Sequence, residues 1–252
     1  MMKEAVARSV RVHPGPLAND GGSDLESRKR RIIRRGPLGT AASQGSQTAL
    51  MDAGMIHRVS KGKLLLKEAD VAGHVALLSL GRVRMFRTLS DGHALSLGYR
   101  GAGDLIGEAA IGGSPTYRES AVAIEDVEAL LVPVATLRAV MTADHAFSQA
   151  LVSLLVDRRT DTEDRLASVL FRNVEARLAE FLLRSAQRWG IPDPRGVLVS
   201  APFTHQEMAN MIGSTRETVT LTLGDLRRKG LIEIDRRRIV VLDREALKSR
   251  VA

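Results

Sequence analysis

Cysteine is absent from this chain of 252 residues. That excludes a disulfide framework, a thiolate zinc site, a Cys-held iron–sulfur cluster and a Cys nucleophile. It also agrees with a cytoplasmic location. Aromatic residues make up only 3% of the chain, which argues against an aromatic stacking surface for single-stranded nucleic acid. No apolar run approaches the ~18 residues of a membrane span. The N-terminal stretch MMKEAVARSVRVHPGPLANDGGSD lacks the apolar centre of a signal peptide, so no membrane partner is expected. Catalytic signatures are missing too. There is no Walker loop, no HExxH and no nucleophile elbow. The six histidines, at 13, 57, 74, 93, 145 and 205, show no metal-ligand spacing. Ser60-Lys61-Gly62-Lys63 matches a bare SxxK on a turn before a strand, where chance explains it best. No catalytic residue and no metal site are therefore expected, and the chain does not read as an enzyme.

Positive charge is present in excess and is unevenly spread. The net charge is +8; residues 1–50 carry 9 basic and 4 acidic side chains, residues 51–170 carry 13 and 15, and residues 171–252 carry 15 and 10. Two basic ends thus flank a mildly acidic middle, and basic segments attract polyanions.

Residues 1–50 read as a disordered basic tail, rich in Gly, Ser, Pro and Gln with little apolar periodicity. Within them Arg28-Lys29-Arg30-Arg31-Ile32-Ile33-Arg34-Arg35 places six cations in eight residues. It is either a solvated block or a sequence-blind phosphate contact. Residues 51–134 read as β-structure, with short apolar segments such as His74–Leu80 and Arg82–Arg87 separated by Gly turns. Asp91-Gly92 marks a hairpin. Many short strands with close turns suggest a small barrel or roll.

From Ala135 to about Leu170 neither Gly nor Pro occurs, which predicts one long helix. Leu151, Leu155, Arg158, Thr162, Arg165 and Val169 follow steps of 4, 3, 4, 3 and 4, a heptad seam with apolar ends and a polar middle. The seam suits a dimer interface, and its polar middle either sets register or faces a ligand. The alternative is a helix packed on its own barrel. Asp157, Asp161 and Asp164 on the same segment read as a solvated acidic face. A second helix is predicted over Val174–Trp189, broken by the Gly190–Gly196 stretch.

Residues 204–229 read as two helices around a short turn within a C-terminal domain, residues 171–252. Thr204 and Glu207 have capping-box spacing, and Gly213 suits a left-handed helix end. Ser214 or Thr215 caps the second helix. This is a helix-turn-helix whose second helix is placed to enter a major groove. Arg216 and Glu217 lie in its first turn: Arg donates two hydrogen bonds to guanine, and Glu accepts from cytosine. Ser214, Thr215, Thr218 and Thr220, with the Thr204 end of the first helix, suit DNA contacts, phosphate oxygens above all. The segments Lys229–Ile234 and Arg236–Val241 read as two strands forming a wing, with Arg236, Arg237 and Arg238 against the DNA backbone.

These segments together resemble the bacterial CRP/FNR family of transcription regulators over about residues 53–245. Gly103-Asp104-Leu105-Ile106-Gly107-Glu108, followed by Arg118 and Ala121, is similar to the family's phosphate-binding cassette. Thr204–Glu207 through Gly213–Val219 is similar to its DNA-reading motif. The resemblance implies an α+β chain with a cyclic-nucleotide-binding-like β-roll (a double-stranded β-helix), a long dimerisation helix over 135–170 and a winged helix-turn-helix. It further implies a homodimer on double-stranded DNA with a near-palindromic site, and RNA polymerase as a further partner. In relatives that sense cyclic AMP, the positions matching Gly107, Glu108 and Arg118 hold ribose and phosphate, and Thr162 matches a hydroxyl offered to the purine. Glu119 departs from that pattern, because such relatives carry a small hydroxyl residue there. A cyclic nucleotide, another ligand and no small ligand all stay open for this pocket. Leu221 is a second departure: many relatives carry Arg there for another base contact. The tail outside the shared pattern is similar in kind to that of MrpC-type developmental regulators, without residue-level support. A ligand-binding scaffold that does not read DNA sequence is the competing function.

Overall fold

The computed structural model describes residues 22–90, 92, 94–200, 203–235 and 238–251. The chain divides into two compact units, Met1–Val156 and Asp157–Ala252.

Among the described residues of the first unit, eight strands form two antiparallel sheets: β1 (Met55–Val59), β2 (Leu64–Leu66), β3 (His74–Leu80), β4 (Val83–Thr88), β5 (Ala94–Arg100), β6 (Leu105–Ile106), β7 (Ser120–Ala123) and β8 (Val127–Pro133). Their orders are β1-β8-β3-β6 and β2-β7-β4-β5. Successive side chains of a strand point to opposite faces. Accordingly Ala76 and Leu78 of β3 join Met85, Ile106, Ala121 and Leu131 in one apolar cluster, while Val75 and Leu77 join a second cluster on the other face. Burial on both faces explains why β3 reads as a continuous apolar run rather than an alternating one. The β4–β5 hairpin forms with Thr88 opposite Ala94, and Gly92 takes a left-handed φ of 82°. Asp91 of the expected turn lies outside the described residues.

The second apolar cluster is covered by a segment expected to be disordered, and that expectation fails from residue 22 onward. Three helices occupy it: α1 (Gly22–Ile33), α2 (Pro37–Ala41) and α3 (Gln44–Ala53). Ile32, Ile33, Leu38, Leu50 and Met51 are buried in that cluster. Three cations of the basic run bond to the body of the unit, while Arg30, Arg31 and Arg34 stay exposed. Arg28 pairs with Glu128 of β8, Lys29 Nζ donates to the Met51 carbonyl at 2.9 Å, and Arg35 Nη1 donates to the Ser79 carbonyl at 2.7 Å. Burial raises the Glu128 pKa, but hydrogen bonds and charge from Arg28 and Arg58 outweigh it and hold the carboxyl below its usual range. Composition hid these helices because the residues that make their ends are also those of loops: Ser43 caps α3 and Pro37 opens α2. Residues 1–21 of the expected tail lie outside the described residues.

The long helix is also not one helix. α4 (Val134–Ala143) and α5 (His145–Phe171) meet at a bend of 116°. The break needs neither Gly nor Pro, because Asp144 makes it. Its backbone is extended (φ −128°, ψ 99°), and its Oδ1 accepts from the Phe147 N–H at 3.1 Å as a helix cap does. Leu151, expected on the seam, is only 1% exposed and packs with Phe147 and Leu137 in the second cluster.

The second unit holds the rest of α5 and then α6 (Val174–Trp189), β9 (Gly190–Asp193), β10 (Gly196–Val199), α7 (His205–Ile212), α8 (Arg216–Arg228), β11 (Ile232–Asp235), β12 (Arg238–Val241) and α9 (Arg244–Lys248). Asn173 caps α6, and the helix stops at Gly190 where β9 begins. The wing strands β11 and β12 belong to a four-stranded sheet, β11-β12-β10-β9. Leu178, Phe181 and Leu182 of α6 are buried in this unit, as are Met208 and Ile212 of α7 and Leu223 and Leu226 of α8. The Phe181 ring meets Phe203 edge-on at 5.0 Å.

Candidate nucleic-acid interface

The helix-turn-helix is fixed at each joint by a polar side chain or a glycine. Thr204 Oγ1 accepts from the Glu207 N–H, and Glu207 Oε2 accepts from the Thr204 N–H at 2.7 Å, so both halves of the capping box form. Gly213 closes α7 at φ 62°, ψ 54°, a left-handed conformation that Gly adopts without a Cβ penalty. Of the two candidate caps for α8, Thr215 is the one used: its Oγ1 accepts from the Thr218 N–H at 3.2 Å. Ser214 instead sends its N–H back to the Ala209 carbonyl at 3.0 Å and tightens the turn.

Burying Val219, Leu223 and Leu226 forces the opposite face of α8 outward. That face carries Arg216, Glu217, Thr220 and Leu221, all exposed. Thr220 Oγ1 donates to the Arg216 carbonyl at 2.9 Å and lies 2.7 Å from His205 Nδ1. His205 was not expected as a site residue; it joins the two helices on their exposed side, and its place one residue after the cap was the available signal. Phe203, Thr204, His205, Gln206 and Arg216 line one open groove with Ile234 and Ile239 of the wing. Arg238 is exposed at the start of β12, opposite Asp235; Arg236 and Arg237 lie outside the described residues. Arg195 braces the sheet, donating to Asp193 and, at 2.6 Å, to Glu233. Its guanidinium lowers the Asp193 pKa to about 2.

The cassette lies in the first unit. Gly107 sits at φ 84°, and a Cβ there would come within 3.2 Å of the Tyr117 ring and 3.3 Å of the His74 carbonyl. Backbone shape therefore favours Gly, and any side chain there would also press on these neighbours. Glu108 follows on a short 3-10 turn, Glu108–Ala110, and is half-buried. Arg138 of α4 clamps that turn, donating to the Ala110 carbonyl at 2.9 Å and the Ile111 carbonyl at 3.2 Å. Tyr117 is buried in the cluster between the sheets, its hydroxyl donating to the His74 carbonyl at 2.8 Å. Burial raises its pKa. Arg118 is exposed and Glu119 half-buried. Thr162 lies in the second unit, exposed, with its hydroxyl donating to the Arg158 carbonyl of its own helix at 2.9 Å. Gly107, Glu108 and Arg118 fit the chemistry of a ribose phosphate; the Glu119 carboxylate, which would repel the phosphate, does not. Among the described residues no group of three or more His, Asp or Glu side chains is placed to hold a metal ion.

Helix α5 exposes Val152, Leu155, Val156, Leu166, Val169, Leu170 and Phe171. Arg158 and Arg165 are half-buried. The Asp161 and Asp164 pair, expected to be merely solvated, meets Arg184 of α6 at 3.2 and 3.1 Å. Glu180 adds contacts to Arg184, Arg172 and the Ser168 hydroxyl. No single helix among the described residues is long and apolar enough to cross a membrane.

Residues 56–144 match the cyclic nucleotide-binding domain and residues 176–250 match the Crp-like helix-turn-helix domain. The global nitrogen regulator of Synechococcus elongatus is 30% identical over 194 residues, 76% of this chain and 87% of that protein. The chain belongs to the CRP/FNR family of transcription regulators. This CRP/FNR regulator is also 28% identical, over 190 residues, to the CRP-like cAMP-activated global transcriptional regulator of Mycobacterium tuberculosis, covering 75% of this chain and 85% of that one. A CooA mutant from Carboxydothermus hydrogenoformans superposes with a TM-score of 0.72 at 25% identity, covering 89% of this chain and 99% of that one. In this chain a Crp-like helix-turn-helix domain follows a cyclic-nucleotide-binding-type domain. The capped α7–α8 pair lies inside the helix-turn-helix match.

Proposed function

We propose that this regulator acts in the cytoplasm as a homodimer on a near-palindromic operator with GTG-like half-sites. The observation that carries the reading is the exposed Arg216–Glu217 pair at the capped start of α8. Arg216 is matched to guanine O6 and N7, and Glu217 to cytosine N4 on the complementary strand. Ser214, Thr215, Thr218 and the α8 amides are matched to phosphate, with the arginines of the wing beside them. The apolar residues exposed on α5 support pairing with a second copy, and two-fold symmetry then sets half-sites near one helical turn apart. RNA polymerase is the partner that such a bound dimer would meet at a promoter.

Cyclic AMP is not required in this reading. A Glu119 carboxylate 4 Å from a ligand phosphate is repelled by about 4 kcal/mol at an effective dielectric near 20. Operator affinity should therefore be the same with and without cyclic AMP, and isothermal titration should register no binding heat. A cyclic-AMP-dependent rise in affinity would overturn this part.

The central test is selection of binding sites from random duplexes by the wild type and by Arg216→Ala. The variant should lose about 1–3 kcal/mol at one base pair and its preference there. An unchanged motif would refute the assignment. Affinity should also fall steeply with salt, as counterions leave the phosphates. A shallow slope without sequence preference would favour a scaffold that docks protein.

A further inference from the structure

We infer that Leu221 reads the 5-methyl group of a thymine in each half-site, an inference that rests on the DNA-reading role proposed above. Leu221 is 72% exposed, and among the large hydrophobic side chains of the described residues only Phe171 is more so. Its position on α8 accounts for this. Val219 and Leu223, two residues to either side, are buried, so Leu221 projects from the far face. It stands four residues after Glu217, hence one turn along the same row of the helix.

The neighbouring hydroxyl is already engaged. Thr220 Oγ1 is held between the Arg216 carbonyl and His205 Nδ1, so past Glu217 the reading face presents an apolar side chain rather than a donor. One turn further Gly224 lies half-buried, and a Cβ there would meet nothing within 4 Å. Space for close approach therefore continues beyond Leu221. In a major groove lined by donors and acceptors, the apolar feature is the thymine methyl. One helical turn rises about 5.4 Å, which spans between one and two base steps of ~3.4 Å. The thymine should accordingly lie within two base pairs of the pair read by Glu217.

The test uses the full chain and its selected operator, with each thymine replaced in turn by deoxyuridine, which removes the methyl group alone. Wild type should lose affinity about fourfold at one position per half-site, the equivalent of ~0.8 kcal/mol for one buried CH₂-sized group. Leu221→Ala should bind the thymine and uracil duplexes equally. Leu221→Arg should bind both equally too and shift the selected base at that position towards guanine. Leu221 is exposed, so both variants should keep the wild-type circular dichroism spectrum. A wild type indifferent to every uracil, or a penalty that persists in Leu221→Ala, would overturn the inference while leaving the operator reading intact. If selection yields no motif, the operator reading itself fails and this inference fails with it.

Discussion

Ser43 donates its backbone N–H to Asp144 Oδ2 at 2.8 Å. Through that bond the cap of α3, which lies outside both matched domains, reaches the elbow where α4 ends and α5 begins. The same carboxylate accepts from the Phe147 N–H at the start of α5. One side chain therefore ties an N-terminal arm, a bend and the base of the long helix together.

That arrangement has a pH signature. The Ser43 N–H, the Ser46 hydroxyl and the Phe147 N–H, in that order, all favour the charged carboxylate, and against a smaller effect of burial they hold Asp144 well below the usual range. A group with a depressed folded pKa stabilises the fold above its unfolded pKa, near 4, and that contribution is lost as pH falls towards the folded value. Asp144→Asn should therefore lower the melting temperature at pH 7, and its gap to wild type should narrow below about pH 4. Calorimetry across a pH series measures this; a gap that stays constant down to pH 3 would contradict the assignment.

Gly36 is required by space rather than by backbone shape. Its φ of −114° suits any residue, but a Cβ there would lie 2.2 Å from the Gly103 carbonyl oxygen in the cassette turn. Backbone cannot yield as a side chain does, so Gly36→Ala should cost about 1–3 kcal/mol and loosen the arm. Trypsin should then cut the Arg28–Arg35 run faster. Gly45→Ala, where nothing lies within 4 Å, should leave cleavage unchanged.

Much of the DNA-reading end was legible because its signals are local. Thr204, Glu207 and Gly213 each announce a helix end within four residues, and the structure uses each accordingly. The arm was illegible for the opposite reason. Ile32, Ile33 and Leu38 are too few to show a period, and what makes them core is β-sheet that lies far along the chain, Val75 and Leu77 of β3 and Leu130 and Val132 of β8 among it. Asp144 looked like one more surface acid, since an aspartate that ends a helix is indistinguishable in sequence from one that decorates it. In the cassette, sequence singled out Glu108 and Arg118 but not Tyr117, whose burial depends on the gap that Gly107 leaves.

The cap of α8 links stability to recognition. Thr215→Ala removes the acceptor for the Thr218 N–H and should cost about 0.5–2 kcal/mol of stability, with Thr215→Ser retaining most of it. Because Arg216 and Glu217 follow at once, operator affinity should fall more in Thr215→Ala than in Thr222→Ala, whose hydroxyl only back-bonds to the Thr218 carbonyl. Urea melts beside fluorescence anisotropy on the operator separate the two effects. Equal losses in both variants would mean that the cap does not position the readers.

Two leucines of α5 should behave in opposite ways. Leu166 is exposed, so a charge there costs the isolated chain little but would have to be desolvated in a paired seam. Leu166→Glu should therefore leave thermal stability near wild type at dilute concentration, shift sedimentation to the monomer and weaken operator binding. Leu151 is buried with Phe147, and Leu151→Ala should cost about 2–5 kcal/mol through the cavity it leaves. It should not change the monomer–dimer equilibrium of the protein that remains folded. If Leu151→Ala dissociates the dimer and Leu166→Glu does not, the pairing surface lies off the exposed face of α5, and the apolar side chains there need another occupant.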